Sequence, residues 1–109
     1  MRILAMPEVT EYLDNLVDIL FEKKYFSYVE DAVDYVEDLR NEIKTKLHTK
    51  LHKTAPEYFD KYGKNMKYAA FKKNRRTTWY AFFTKYLKDG EEIYLVRYIA
   101  NNHTVAQYL

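Results

Sequence analysis

The hydrophobic period changes once along this chain, and that change limits the available folds more than any other feature. Up to about residue 49, apolar side chains recur every three or four positions; from residue 66 they alternate, or run in short blocks rich in Tyr, Phe, Val and Thr. The first pattern belongs to helices with one buried stripe and the second to strands. Helices followed by a run of strands indicate an α+β protein, with the helices packed on one face of an antiparallel sheet.

The helical part is detailed enough to place. Arg2 to Met6 reads as a short strand, and Pro7 stands where a helix favours its first residue, with Glu8 and Glu11 near the positive end of its dipole. Val9, Leu13, Leu16, Val17 and Leu20 form one stripe, opposite Glu11, Asp14, Asp18 and Glu22, which predicts a helix over residues 7–24. Ser27-Tyr28-Val29-Glu30 fits a capping box, opening a second helix over 27–49 whose stripe is Val29, Ala32, Val33, Val36, Leu39, Ile43 and Leu47. Two such helices in succession predict an antiparallel hairpin with its acidic faces in solvent.

Thr54-Ala55-Pro56 and Tyr62-Gly63-Lys64-Asn65 are turn chemistry, with room for one helical turn between them. Three strands follow, over Met66–Lys73, Thr77–Tyr86 and Glu92–Ala100. Asn74-Arg75-Arg76 joins the first pair, and the Asp89-Gly90 dipeptide marks a tight hairpin between the second and third. The expected architecture over residues 1–109 is therefore one α+β domain: an N-terminal strand and a two-helix hairpin packed on an antiparallel sheet of three to four strands. The central strand, apolar on both faces, is expected to meet the helices on one side and to carry exposed aromatics for binding on the other.

Composition excludes several classes of function. The 109 residues contain no cysteine, which removes disulfide scaffolds, thiol catalysis and cysteine-ligated zinc. Gly63 and Gly90 are the only glycines and stand alone, so no glycine-rich phosphate loop is possible, and Ser27 is the only serine, which leaves no nucleophile elbow. No apolar run approaches the ~20 residues of a membrane helix. The Met1–Pro7 start is too short for a signal-peptide core, so the chain is expected to be cytoplasmic, without membrane or small-molecule cofactor. His48 and His52 stand four apart, but no third ligand is suitably spaced; they read as two solvated histidines, and no metal site is expected.

Charge is the strongest functional signal. Residues 1–43 carry 4 basic and 11 acidic side chains, whereas residues 44–109 carry 14 basic and 5 acidic ones. Such separation fits a nucleic-acid surface or an acidic partner on the C-terminal half, and equally a set of solvated lysines. Lys72, Lys73, Arg75 and Arg76 cluster at the first strand turn; Arg97 lies in the last strand, with Asn101, Asn102 and His103 beyond it and Tyr108 near the end. Metal-free RNA cleavage requires a base for the 2′-hydroxyl, cations for the phosphate and an acid for the leaving oxygen, roles that Arg, Lys, His and Tyr can fill.

Strand, two helices and a three-stranded meander with a basic C-terminal half, together with Phe71-Lys72-Lys73-Asn74-Arg75-Arg76-Thr77-Thr78-Trp79-Tyr80 and Ile93-Tyr94-Leu95-Val96-Arg97-Tyr98-Ile99-Ala100-Asn101-Asn102-His103, resemble the RelE/ParE superfamily of bacterial toxins. The resemblance implies the toxin half of a type II toxin–antitoxin pair, held by a cognate antitoxin through an acidic or amphipathic segment. RelE-like members cleave mRNA at the ribosome; ParE-like members poison DNA gyrase without nuclease chemistry; a plain nucleic-acid-binding module is a third reading. The resemblance places Tyr108 near the family's catalytic tyrosine and aligns Lys72 and Lys73 with its strand lysines. It also puts Asn102 where the family carries a basic residue, and Thr78 near its middle-strand arginine. The expected catalytic set is Arg97 or Arg76 against phosphorane charge, His103 for proton transfer and Tyr108 to orient base or phosphate. Lys72, Lys73, Arg75, Asn101 and Asn102 are expected to bind nucleic acid.

Overall fold

The computed structural model describes residues 1–109. Strand β1 (Arg2–Ala5) leads into helix α1 (Pro7–Glu22), and α2 (Val29–Lys46) follows and ends in a 3-10 turn, Leu47–Thr49. A two-residue strand β2 (Lys53–Thr54) and a 3-10 segment (Glu57–Tyr62) precede β3 (Lys67–Lys72), β4 (Thr78–Lys88) and β5 (Glu91–Asn101). The chain closes with a single turn of helix, α3 (Asn102–Val105), and a 3-10 turn, Ala106–Tyr108. No helix is long and apolar enough to cross a membrane.

The expected α+β architecture is present, with two additions. The sheet has five strands in the order β1-β5-β4-β3-β2, because β2 pairs antiparallel with β3 through Lys53 opposite Tyr68 and Thr54 opposite Lys67. Two polar residues carry no alternation, so this edge strand leaves no periodic trace in the sequence. The sheet is also mixed: β1 runs parallel to β5, Arg2–Ala5 against Ile93–Val96. β3, β4 and β5 form the antiparallel meander. In the β4–β5 hairpin, Asp89 (φ 52) and Gly90 (φ 78) both take positive φ, the type I′ geometry that suits the twist of the flanking strands.

Helix ends differ from the sequence expectation in an instructive way. Ser27 caps nothing: α2 begins at Val29 with Tyr28 as its extended N-cap residue, and no side chain bonds the first turn. The serine stands one residue too early to reach an orphan amide, so Glu30 and Asp31 in the first turn supply the favourable electrostatics through the dipole alone. α1 ends with Tyr25 N–H donating to Leu20 O and Lys24 N–H to Phe21 O, a Schellman motif with Lys24 at φ 61 where glycine is usual.

Val9, Leu13 and Leu16 of α1 and Val36, Leu39 and Ile43 of α2 pack onto Trp79, Phe83, Tyr94, Val96 and Ile99 of the sheet. Each such side chain contributes about 1.5–3 kcal/mol by leaving water. Arg40 bridges the helices to Asp14 at 3.0 Å and pairs with Glu37 at 3.3 Å, but exposed ion pairs contribute only about 0–1 kcal/mol. Packing therefore holds the hairpin down, and its carboxylates face water except at Glu42, half-buried, whose Oε2 is buried without a hydrogen-bond partner.

The far face of the sheet is not the open aromatic platform the sequence led one to expect. Phe59, Met66, Phe82, Ala100 and Val105 form a second buried cluster there, with the Phe59 ring 4.4 Å from that of Phe82. The 57–62 segment and the C-terminal turn supply this cover. Between Val96, opposite Phe83, and Tyr98, opposite Phe82, Arg97 is an extra residue: a β-bulge that re-aims its side chain.

Candidate nucleic-acid interface

Seven of the expected residues meet at one end of the sheet. Asn74 Oδ1 accepts the amide N–H groups of Arg76 and Thr77, both at 2.9 Å, which folds the β3–β4 turn on itself. Asn102 ties the C-terminal tail to that turn: its Oδ1 accepts the Thr78 N–H at 2.9 Å and its Nδ2 donates to Arg76 O at 3.0 Å. Asn101 Oδ1 caps α3 through Thr104 N–H at 3.2 Å. Both asparagines thus spend their amide oxygens on structure, and their part in the site is to position it.

His103 follows these two residues, exposed, with Nε2 3.4 Å from Thr77 Oγ1. Lys72, Arg75 and Arg76 are exposed and make no ion pair, so their charges face solvent. Lys73 is half-buried with Nζ 5.0 Å from the Tyr35 ring centre. A fixed turn whose guanidinium groups face solvent can hold a phosphate.

Arg97 and Tyr108 lie elsewhere. The Arg97 guanidinium donates to Thr84 Oγ1 at 2.9 Å and to the Tyr86 hydroxyl at 2.7 Å, toward the hairpin end of β4 and away from His103. From Arg97 to Asn101 the strand alone spans roughly 13 Å at about 3.3 Å per residue. Gly63 makes this course possible, because a Cβ there would stand 2.7 Å from Arg97 Cδ. The Tyr108 ring is stacked 3.6 Å from Tyr58, against which Lys61 also lies, with Nζ 4.1 Å from the ring centre. Contact with the Tyr58 hydroxyl holds the Lys61 ammonium above the usual lysine range. The expected four-residue catalytic set is therefore not assembled at one point; Arg76 and His103 belong to the same end of the sheet, and Arg97 and Tyr108 stand apart.

The two histidines of the helix end also part company. His48 is exposed in the 3-10 turn, while His52 is half-buried beyond it, its Nε2 2.8 Å from Leu47 O and its ring edge-on to Phe83. They share no helix face, and His52 is a packed residue rather than a solvated one. No three His, Asp or Glu side chains converge anywhere in the chain.

The residues that sequence reasoning missed line a groove of about 1220 Å³ between α1 and the C-terminal part of β5. Tyr62 is stacked on Tyr98 at 3.8 Å there. Burial, followed by the Tyr62 hydroxyl, raises the Tyr98 phenol well above its ordinary range. The pairing joins residues 36 positions apart, and nothing local to either tyrosine announces it. The fold and this basic end define a small α+β protein with a fixed cationic turn. No protein-family model, curated protein or solved structure matches the chain.

Proposed function

We propose that this protein is the toxin component of a bacterial type II toxin–antitoxin pair, acting in the cytoplasm as a RelE-like endoribonuclease on ribosome-associated mRNA, with an acidic antitoxin segment as its partner. The observation that carries the reading is that Asn102 ties the C-terminal tail to the β3–β4 turn, so that the turn bearing Arg75 and Arg76 and the exposed His103 share one end of the sheet. His103 serves as the proton-transfer group and the arginines hold the scissile phosphate. The 2′-hydroxyl attacks phosphorus, the 5′-oxygen leaves with a proton, and the products are a cyclic phosphate and a 5′-hydroxyl. The element order and the basic C-terminal half, as the resemblance implied, support the reading further.

Induced expression with primer extension on cellular mRNA tests it. Cleavage that persists in EDTA and falls by about 10²–10⁴ in His103→Ala supports the reading. Full toxicity in both His103→Ala and Arg76→Ala overturns the nuclease. A second reading, a ParE-like gyrase inhibitor without nuclease chemistry, is favoured by one observation: Arg97 and Tyr108 are committed to contacts away from His103. A supercoiling assay run beside the first experiment separates the two.

A further inference from the structure

The two ends of α2 are opposite in charge, and each leaves apolar side chains in water. No basic residue stands between Lys24 and Arg40, and Glu30, Asp31, Asp34, Glu37 and Asp38 are all exposed. At the other end no acidic residue stands between Glu42 and Glu57, and Lys44, Lys46 and Lys53 are exposed. None of these lysines makes an ion pair, and of the five acids only Glu37 does. The helix dipole favours this order of charges, but it gives no reason for the apolar side chains set among them.

At the acidic end those side chains form a patch on the solvent side of the hairpin. Arg40 meets Asp14 at 3.0 Å across the seam between α1 and α2. Two turns from that bridge, the antiparallel helices bring Phe21 level with Val33. Phe21, Val29 and Val33 are each 40 % exposed, and Tyr25 and Tyr28 between the helices are 69 % and 68 % exposed. At the basic end Leu51, the most exposed large apolar side chain at 76 %, stands between Lys50 and Lys53. Leu87, nearly as exposed, lacks such a setting, because Asp89, Glu91 and Glu92 offset Lys85 and Lys88 beside it. α2 separates patch and knob by roughly 27 Å, at about 1.5 Å per residue, so one chain cannot join them.

We propose that the protein assembles head to tail with copies of itself. Leu51 of one protomer seats among Phe21, Tyr25, Tyr28, Val29 and Val33 of the next, while Lys46, Lys50 and Lys53 meet Glu30, Asp34 and Glu37. Apolar burial holds the contact, and the opposed charges orient it and exclude a patch-to-patch pairing of two acidic surfaces. Patch and knob are different surfaces, so each protomer keeps one of each free and the assembly extends beyond two. The inference goes beyond the reading above, and neither surface contains Arg75, Arg76 or His103.

Sedimentation equilibrium of the purified full chain tests it. A contact of this size is weak, so the weight-average mass should climb above the 13.2 kDa of one chain at protein concentrations of roughly 0.1–1 mM. The association constant should fall at least about tenfold between roughly 0.01 M and 1 M salt, as the Debye length shrinks from ~30 to ~3 Å. Leu51→Glu removes the knob, and the Val29→Gln, Val33→Gln double variant removes the patch; each alone should stay at the mass of one chain. Mixed in equal amounts they should form a dimer and nothing larger, because the first keeps its patch and the second its Leu51. That rescue also shows that both variants fold. A wild-type mass that stays at one chain up to about 1 mM overturns the proposal. So does association that survives Leu51→Glu or is indifferent to salt, and so does an equimolar mixture that stays monomeric. Toxicity and RNA cleavage are not read in this experiment, so its failure leaves the nuclease reading standing, and the converse also holds.

Discussion

Two single residues show how much one atom decides here. Trp79, 1 % exposed at the centre of the core, donates its indole N–H to the Tyr35 hydroxyl at 2.9 Å. Tyr35→Phe leaves that buried donor without a partner, and an orphaned donor costs about 1–3 kcal/mol. Urea denaturation should show a loss in that range with an unchanged slope. Gly63 acts through space instead: a methyl there meets Arg97 Cδ at 2.7 Å, displaces the side chain and weakens its bonds to Thr84 and Tyr86. Gly63→Ala should destabilise by about 1–3 kcal/mol, read as a lower melting temperature. Arg97 and Gly63 were visible as an arginine in a strand and a glycine in a turn, but their dependence on each other was not. The bulge that aims Arg97 is a mismatch between two strands, and no single segment encodes it.

At the scale of elements, the apolar period located every long helix and strand, since 3.6- and 2-residue repeats are properties of one segment alone. Ends were less legible, because a cap depends on one residue's backbone angles. Ser27 fits a capping pattern and caps nothing, so Ser27→Ala should leave stability within about 0.5 kcal/mol, whereas loss of a true cap typically costs about 1 kcal/mol. Lys24 is the opposite case. It holds the left-handed position of the Schellman motif at φ 61, a conformation that costs an L-residue about 1–2 kcal/mol. Lys24→Gly relieves that strain and gives back part of the gain as unfolded-chain entropy. A net stabilisation of about 0.5–1 kcal/mol should appear as a higher urea midpoint.

For the whole molecule, the tyrosines that link separate elements set a limit on alkaline stability. Burial raises the phenols of Tyr12 and Tyr98 above their ordinary value, with the Tyr62 hydroxyl adding to the effect at Tyr98. An unfolded tyrosine ionises at about pH 10. Below that pH both states are protonated and this contribution to stability is intact; above it the unfolded chain releases protons that the folded chain retains. Stability should therefore fall as pH rises beyond about 10 toward the raised folded values. Tyr98→Phe should flatten the decline in denaturant titrations across that range, and an unchanged slope would remove Tyr98 from the account.

Legible in the chain alone were the α+β class, the order and approximate limits of the helices and main strands, the Asp89-Gly90 hairpin and, Glu42 apart, the solvated acidic helix faces. Each follows from local periodicity, turn chemistry or charge. Tertiary structure alone decided the parallel seat of β1 on β5, the edge strand at Lys53–Thr54 and the covering of the far sheet face by Phe59 and its neighbours. It also divided the candidate site, setting His103 beside the 74–77 turn through Asn102 while turning Arg97 toward Thr84 and stacking Tyr108 on Tyr58. The physical reason is the same throughout: a side chain's type is written at its own position, but its partner is chosen by strand register and packing between segments distant in the chain.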